Sequence, residues 1–206
     1  DVVVRNPGVR RASHYLQIAR QSGVDIEMEM SRFFRACRAP ILGVTGTKGK
    51  TSVSTLCSNI LRAWKPETIL AGNMGISALN LVDDIQPDQP VVIELSSWQL
   101  EALDEHQLGP RIAVLTNISP DHLDSYDSYE DYAATKRTIG HHGGDDAVVV
   151  YNVDDPDTAK IAHETSARLI PFGLRDPGSD GAWLSGDELV LRLDGREDRL
   201  PRPQQL

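Results

Sequence analysis

The feature that most constrains this fold is an apolar run that leads through a glycine-rich loop into a helical segment. Ile41–Thr45 is rich in apolar residues, and Gly46-Thr47-Lys48-Gly49-Lys50-Thr51 follows it and opens a predicted helix, Lys50–Trp64. Glycines allow successive backbone N–H groups to point inward, and a helix N-terminus favours negative charge. The order of strand, glycine loop and helix therefore predicts a phosphate-binding loop.

Two side chains of this loop have predicted roles toward a bound nucleotide. Lys50 would reach the β- and γ-phosphates, and the Thr51 hydroxyl would complete the shell of a magnesium ion. The full GxxxxGK[ST] pattern is not met, because Val44 occupies the first glycine position. A glycine-rich turn without a ligand is the alternative. GTPases, kinases and ligases all use such loops, so the loop alone does not define the reaction.

Short apolar runs alternate with helix-like segments along most of the chain. Several of the runs are apolar without alternation, which is typical of parallel strands that are covered on both faces. The pattern predicts an α/β protein with an open, mostly parallel sheet and flanking helices. The predicted strands are Val2–Val4, Ile41–Thr45, Thr68–Leu70, Val91–Leu95, Ile112–Thr116, Ala147–Tyr151 and Arg168–Pro171, and the predicted helices are Arg11–Ser22, Lys50–Trp64, Ile76–Val82, Ser128–Gly140 and Pro156–Thr165.

The two ends of the chain depart from this pattern. Residues 1–39 hold one strand, one helix and a strand-like stretch, Val24–Met28, and are expected to be the tail of a preceding α/β domain. From Asp176 onward, short apolar runs joined by turns such as Asp194-Gly195 predict an antiparallel β meander. The first residues resemble a strand entered in its middle, so we expect the chain to be a piece of a longer protein.

Composition excludes several classes of function. The 206 residues carry a formal net charge of −9, which argues against electrostatic binding of nucleic acid or of an anionic membrane over a broad surface. An anionic substrate held by a few local cations or by metal ions remains compatible with this charge. Two cysteines, Cys37 and Cys57, cannot form a disulfide framework, and no apolar run approaches the ~20 residues of a membrane span. These observations predict a cytoplasmic protein.

Five segments stand out in order along the chain: Gly46–Thr51, Gly72-Asn73-Met74-Gly75, Glu94-Leu-Ser-Ser-Trp-Gln-Leu-Glu101, Thr116-Asn117-Ile-Ser-Pro-Asp121-His122-Leu-Asp124 and Tyr132-Ala-Ala-Thr-Lys136. Together they resemble the Mur ligase family, ATP-dependent enzymes that build the peptide of bacterial cell-wall precursors. The family's loop typically has the form TGTxGK[ST], which is consistent with the missing first glycine, although Lys48 stands where many members have Asn. The resemblance is close over residues 40–175 and looser over residues 1–39.

The resemblance implies a reaction and a division into domains. Glu94-Leu-Ser-Ser-x-Gln-Leu is similar to the family member that adds D-glutamate to UDP-N-acetylmuramoyl-L-alanine through an acyl phosphate. Residues 1–39 would then end a uridine-nucleotide-binding domain, and residues 40–206 would form most of the central ATP-binding domain. The end of that domain and a third domain would lie outside the chain, so we expect the chain to be inactive as a ligase by itself. We also expect a monomer. A folylpolyglutamate synthase-like ligase and a non-catalytic nucleotide-binding module remain alternatives.

The resemblance also implies roles for individual residues. ATP and two magnesium ions would be the cofactors, and Lys136 would be carbamylated by carbon dioxide. The implied catalytic residues are Lys50, Glu94, His122 and Lys136, the metal ligands Thr51, Glu94, His122 and the Lys136 carbamate, and the substrate-binding residues Asn73, Ser96 and Ser97.

The chemistry of these residues supports some roles more than others. Glu94 ends an apolar strand, where a carboxylate can hold magnesium, and a solvated strand-end acid is its alternative. His122 is an unusual magnesium ligand, because hard cations prefer oxygen, and a loop histidine is its alternative. Without the resemblance, Lys136 reads as a solvated helix lysine. His141 and His142 look like an exposed helix end and receive no role.

Overall fold

The computed structural model describes residues 1–73, 75 and 77–201, and within them the chain forms a large mixed sheet and a small parallel one. The strands are β1 (Val2–Val4), β2 (Asp25–Glu27), β3 (Ile41–Thr45), β4 (Ile69–Gly72), β5 (Val91–Glu94), β6 (Ile112–Leu115), β7 (Val148–Asn152), β8 (Arg168–Gly173), β9 (Gly181–Ser185), β10 (Glu188–Leu193) and β11 (Arg196–Pro201). The helices are α1 (His14–Gln21), α2 (Glu29–Ala36), α3 (Lys50–Trp64), α4 (Ser97–Glu105), α5 (Tyr129–Arg137) and α6 (Pro156–Ala159).

The large sheet has the strand order β11-β10-β9-β8-β7-β6-β3-β5-β4. Strands β4 to β9 and β3 pair in parallel, whereas β9, β10 and β11 form an antiparallel meander. The predicted fold class, an open, mostly parallel sheet with flanking helices and a C-terminal meander, is therefore confirmed.

Helices cover both faces of the sheet around β3. On one face Val44, Val92 and Val114 pack against apolar side chains of α3, and on the other the sheet packs against α2, α4 and α5. Val91, Val92 and Ile93 have no exposed surface, which explains why these strands are apolar without alternation. Burial of each such side chain contributes about 1.5–3 kcal/mol, so this part of the sheet is the rigid base of the molecule.

Residues 1–27 form a separate βαβ unit, in which β1 and β2 pair in parallel with α1 between them. The strand, helix and strand-like stretch predicted there are confirmed. A buried ion pair connects this unit to α4, with Arg5 Nη2 2.6 Å from Glu101 Oε2 and the two side chains 1% and 8% exposed. The backbone N–H of Arg5 also donates to Glu27 O.

Several elements differ from the sequence prediction. The segment predicted as helix Ile76–Val82 contains a 3₁₀ helix at Leu79–Asp84, while Met74 and Ile76 lie outside the described residues. The helix predicted at Pro156–Thr165 is only the single turn α6 followed by a 3₁₀ turn, Lys160–His163. Helix α2 was not predicted, although Met30, Phe33 and Phe34 give the i, i+3, i+4 spacing of an amphipathic helix and are buried.

Among the described residues, the helices include none whose length and apolar character would let it cross a lipid bilayer.

The ion pair of Arg5 generates a stability prediction. Replacing Arg5 by Met leaves the Glu101 carboxylate buried without its partner, which should lower the free energy of unfolding by about 3–5 kcal/mol. The matched control is Arg20→Met, because Arg20 pairs with Glu105 at 2.9 Å in a much more exposed position, and its loss should cost at most about 1 kcal/mol. Urea unfolding measures both. Equal losses in the two variants would contradict the assignment.

The double variant Arg5→Met/Glu101→Met provides a second check on this pair. Removing both charges removes the unpaired carboxylate as well, so much of the stability lost in Arg5→Met should return. A double variant as unstable as Arg5→Met would show that the loss comes from packing.

Candidate active site

The phosphate loop, residues Gly46–Thr51, is fixed to the end of β6 by hydrogen bonds. The backbone N–H of Thr47 donates to Asn117 O at 2.8 Å, and that of Lys48 donates to Asn117 Oδ1 at 2.9 Å. Asn117 Nδ2 and Thr116 Oγ1 both donate to Lys48 O, at 2.9 and 3.1 Å. The loop is therefore held in shape before any ligand arrives.

Gly46 is required at its position because β6 approaches it closely. A Cβ atom built on Gly46 would lie 1.9 Å from Thr116 Oγ1 and 3.2 Å from the carbonyl oxygen of Asn117. A larger residue would push the loop away from the two residues that hold it.

Lys50 folds back over the loop at the start of α3. Its Nζ donates to Gly46 O and to Thr47 O, each at 3.0 Å. These are neutral carbonyl acceptors, and a phosphate oxygen would form a stronger, charge-assisted bond with the ammonium group. The first backbone N–H groups of a helix such as α3 also lack acceptors within the helix. Lys50 and the start of α3 thus present positive charge and backbone donors at the same place, which suits an anion.

Glu94, at the end of β5, holds the centre of the site. Its side chain is buried, 2% of the residue being exposed, and its two carboxylate oxygens accept from Thr51 Oγ1 at 2.7 Å and from Asn73 Nδ2 at 2.9 Å. The backbone N–H of Asn73 donates to Glu94 O. A hydroxyl and a carboxylate in contact are hard oxygen donors, so the residues present fit a magnesium ion. The solvated strand-end reading of Glu94 is wrong.

A small cavity of about 60 Å³ is lined by six of the seven residues predicted to be catalytic or substrate-binding, Glu94 being the exception. It is lined by Lys50, Asn73, Ser96, Ser97, Trp98, His122, Tyr132 and Lys136. Six of these were named from the sequence as catalytic or substrate-binding residues. Trp98 and Tyr132 were not.

The two serines differ in what they contact. Ser96 is the N-cap of α4: its Oγ accepts from the backbone N–H of Gln99 and donates to Gln99 Oε1 at 3.1 Å. The hydroxyl of Ser96 is thus engaged in a capping box, which sets where α4 begins. Ser97 is buried, 2% exposed, at the first position of that helix. Both remain predicted substrate-binding residues that line the cavity.

His122 follows β6 in a strained loop conformation, with a φ of 51°. Its ring contacts that of Trp98 with 4.7 Å between centroids and a tilt of 51° between the ring planes, and its Nε2 lies 3.7 Å from Asp121 Oδ2. The side chain is 42% exposed. A positive φ in a non-glycine residue costs of the order of 1–3 kcal/mol, but Gln107 and Asp194 share this conformation, so the role of His122 stays a prediction.

Lys136 is buried, in contrast to the solvated helix lysine that its sequence context alone indicates. It is 2% exposed, and its Nζ lies 4.9 Å from the centre of the Tyr132 ring. Desolvation is the main cause that lowers its pKa from 10.5 to about 7; the charge of Lys50 adds to this lowering, and Asp121 opposes it. Near neutral pH, Lys136 therefore carries a neutral amine in a substantial fraction of the molecules.

Sequence reasoning missed the residues that support the site. Thr116 and Asn117 were quoted as part of a motif but received no role, although they hold the phosphate loop. Tyr132 fixes the loop from the other side, because its hydroxyl lies 3.1 Å from Thr47 Oγ1. The predicted topology offered one signal for finding such residues, because the carboxyl ends of neighbouring parallel strands meet at one edge of the sheet.

A parallel sheet with a phosphate loop at its carboxyl edge and a buried carboxylate beside it defines the class of α/β phosphate-loop proteins. Residues 44–197 match the model of the Mur ligase middle domain. The chain is 51% identical over 200 residues to a UDP-N-acetylmuramoylalanine–D-glutamate ligase of Roseiflexus, which covers 93% of this chain and 43% of that relative. The chain therefore belongs to the Mur ligase family and spans less than half the length of the curated relative.

Solved structures show the same fold at low sequence identity. A UDP-N-acetylmuramate:L-alanyl-γ-D-glutamyl-meso-diaminopimelate ligase from Neisseria meningitides is similar with a TM-score of 0.62 and 18% identity, over 98% of this chain and 67% of that one. The MurF ligase from Thermotoga maritima, solved in complex with ADP, is similar with a TM-score of 0.58 and 18% identity, over 97% and 58%.

The lowered pKa of Lys136 predicts how stability depends on pH. Between pH 7 and 10.5 the unfolded chain keeps a proton on Lys136 that the folded chain has lost, so folding becomes more favourable as the pH rises. Below pH 7 both states carry the proton, and the full cost of burying the charge remains. Lys136→Met should thus be more stable than the parent at pH 7, and the difference should shrink by up to about 1.4 kcal/mol per pH unit above it.

Chemical unfolding at several pH values, in buffer free of carbon dioxide and of nucleotide, measures this difference. Lys160→Met serves as the control because Lys160 is exposed on another part of the surface. Its stability curve should run nearly parallel to that of the parent across the same window. A constant difference between Lys136→Met and the parent from pH 7 to 10 would contradict the lowered pKa.

Proposed function

We propose that this chain is the nucleotide-binding and carboxylate-activating part of an ATP-dependent ligase that adds D-glutamate to UDP-N-acetylmuramoyl-L-alanine. The observation that carries the proposal is the cluster formed by Lys50, Thr51, Glu94, Asn73 and Lys136 at one end of the sheet. Residues 40–206 would form the central ATP-binding domain, and residues 1–39 would end a uridine-nucleotide-binding domain. The 51% identity to a D-glutamate ligase supports the acceptor.

The phosphate loop would bind the triphosphate of ATP. On binding, the Lys50 ammonium exchanges the carbonyl oxygens of Gly46 and Thr47 for phosphate oxygens, and the N-terminus of α3 adds its dipole. In-line phosphoryl transfer depends mainly on positioning and on neutralising charge. The residues of the loop would supply both while a carboxylate oxygen of the muramoyl substrate bonds to the γ-phosphorus of ATP and the bond to ADP breaks, which gives the acyl phosphate and ADP.

Thr51 and Glu94 would hold one magnesium ion, and His122 and the carbamate of Lys136 a second. Bound magnesium neutralises phosphate charge and orients the phosphoryl group for transfer. The fit is better for the first pair, because both donors are oxygen atoms in mutual contact, 2.7 Å apart. At the second position carbamylation supplies the oxygen donors that His122 lacks.

Carbamylation of Lys136 needs the neutral amine that burial provides. The ammonium form first loses one proton to give the neutral amine. The amine nitrogen then bonds to the carbon of CO₂ while one C=O π bond opens, and it loses a second proton, so a cation beside Lys50 becomes an anion. The exchange relieves the repulsion between two lysines and would create an attractive position for a cation.

Asn73 and the two serines would position the muramoyl substrate. The Asn73 amide bonds to Glu94, next to the loop, and can turn its carbonyl oxygen toward a substrate donor. The amine of D-glutamate then attacks the acyl phosphate carbon and displaces phosphate through a tetrahedral intermediate.

The alternatives explain less of the site. A folylpolyglutamate synthase-like ligase would use the same loop, but the relative at 51% identity is named for D-glutamate. A non-catalytic nucleotide-binding module has no use for a buried lysine with a pKa near 7, since perturbed ionisable groups of this kind cluster at reaction sites. We further propose a cytoplasmic monomer whose partners are these small molecules, with no nucleic acid or membrane among them.

Removing Lys50 tests the nucleotide site. Lys50→Ala should reduce ATP affinity at least tenfold, because the ammonium group is lost while the loop keeps its anchors at Thr116 and Asn117. Isothermal titration with ATP and magnesium measures this, with Lys160→Ala as a control that should bind as the parent does. Unchanged ATP affinity in Lys50→Ala would contradict the assignment of residues Gly46–Thr51 as a phosphate-binding loop.

Labelled bicarbonate tests the carbamate. With ¹³C-bicarbonate, ATP and magnesium at mildly alkaline pH, the parent chain should show one carbamate carbon signal that is absent in Lys136→Met and retained in Lys160→Met. A parent spectrum with no signal beyond that of Lys136→Met would contradict the proposal.

Substrate pairs separate the candidate functions. In the gene product that contains this chain, UDP-N-acetylmuramoyl-L-alanine with D-glutamate should release phosphate from ATP, whereas a folate with L-glutamate should not. The 206-residue chain alone should bind ATP but not ligate, because it spans 43% of the relative's length. Turnover by the chain alone at roughly 1–10³ s⁻¹ would contradict the domain assignment.

A further inference from the structure

A second cluster of potential ligands lies away from the phosphate loop, where the end of α4 meets the segment after α5. Asp104, His141 and His142 each present one ligand atom there, and all three atoms lie within 4.8 Å of one another. His142 Nε2 is 2.9 Å and His141 Nδ1 is 3.8 Å from Asp104 Oδ1. We propose that these residues bind a transition-metal ion of the zinc type, at a site separate from the proposed magnesium site.

The donor set selects the class of metal. Two imidazoles and one carboxylate suit Zn²⁺, Co²⁺ or Ni²⁺, whereas Mg²⁺ and Ca²⁺ prefer oxygen alone. At metal–ligand distances of about 2.0–2.1 Å, tetrahedral ligand atoms lie roughly 3.4 Å apart. The observed separations of 2.9 and 3.8 Å bracket this value, so small rotations of the side chains complete the geometry. Water would occupy the remaining position.

A further carboxylate lies near one of the histidines, beyond hydrogen-bond distance, and a small rotation of the ring would bring the two into contact. His141 faces Asp104 with Nδ1, and its other ring nitrogen, Nε2, lies 4.0 Å from Glu164 Oε2. Glu164 is itself held by Arg137, whose Nε donates to both of its oxygens at 2.8 and 2.9 Å. A carboxylate behind a metal-binding imidazole fixes the ring and raises its basicity.

The backbone that carries the histidines is held in place. A Cβ on Gly109 would lie 2.8 Å from the carbonyl carbon of His142, and one on Gly143 would lie 2.6 Å from Pro110 O. Thr165 Oγ1 donates to Gly140 O just before the pair. The side chains of the three ligands are a quarter to a third exposed, so an ion can enter from solvent without opening the fold.

A metal ion at this position would connect two helices that both reach the cavity near the phosphate loop. Asp104 lies at the end of α4, whose start contributes Ser97 and Trp98 to the active-site cavity, and the histidines follow α5, which contributes Tyr132 and Lys136. A bound metal would join the far ends of these two helices. The proposal does not depend on the ligase function.

Zinc titration of the tag-free, chelator-treated chain tests the proposal, with excess Mg²⁺ present to occupy the other site. One Zn²⁺ per chain should bind and raise the melting temperature, and Co²⁺ in its place should give the visible absorption of a four-coordinate ion with nitrogen ligands. Asp104→Asn and His142→Gln should each lose this equivalent. Glu164→Gln should bind about tenfold more weakly.

His163→Ala is the matched control, because His163 is an exposed histidine beside Glu164 that presents no ligand to the cluster. It should bind zinc as the parent does, and so should His122→Ala. Circular dichroism shows whether each variant is folded before it is titrated. Absence of saturable zinc binding in the parent, equal binding in folded Asp104→Asn and His142→Gln, or competition by Ca²⁺ would each overturn the proposal. In that case Asp104 and His142 form only a hydrogen bond between α4 and the segment after α5.

Discussion

Everything at the active site depends on the parallel pairing of β3 with β5 on one side and β6 on the other. The register sets Val44 opposite both Glu94 and Val114, and Gly72 of β4 opposite Glu94. All these strands therefore end at the same level, and the next residues of each meet at one edge. The loop, its anchors at the end of β6 and the buried carboxylate of β5 are neighbours for this reason, although more than 20 residues separate them in sequence.

The sequence was sufficient to predict those features of the site that depend on residues close together in the chain. A strand that leads into a glycine loop with Lys50 and Thr51 commonly forms a phosphate-binding loop. The position of Glu94 follows from the rule that the carboxyl ends of parallel strands meet at one edge of the sheet. Ser96 shows where such reasoning stops. Its hydroxyl could serve a substrate or the backbone, and only the structure shows that it caps α4 through Gln99. Local hydrogen bonding to the helix start competes with every other use of a serine at such a position.

Burial was harder to predict, because it depends on packing between distant segments. Lys136 stands four residues after Tyr132 on α5, so the two share a helix face, and Tyr132 is 1% exposed. That spacing was a usable signal that the lysine points inward. The histidine pair at the end of the same region gave no such signal, since its partner Asp104 lies on another helix. Short helices such as α2 were missed because eight residues barely establish a period.

The electrostatics of the cavity are unfavourable to folding at one residue, which supports the proposed function. A lysine whose pKa falls from 10.5 to about 7 carries a folding cost of the order of 5 kcal/mol when protonated, against a typical total stability of about 5–15 kcal/mol. An apolar side chain in its place would avoid that cost. Glu94 is likewise buried among polar partners where a hydrophobic residue could pack. In the proposed function, a phosphate beside Lys50 and a cation beside Glu94 would neutralise these charges, and carbamylation would replace the Lys136 ammonium group by an anion. Lys136 is the group whose charge is costly in the free site, and an anion there would be attracted by Lys50 instead of repelled.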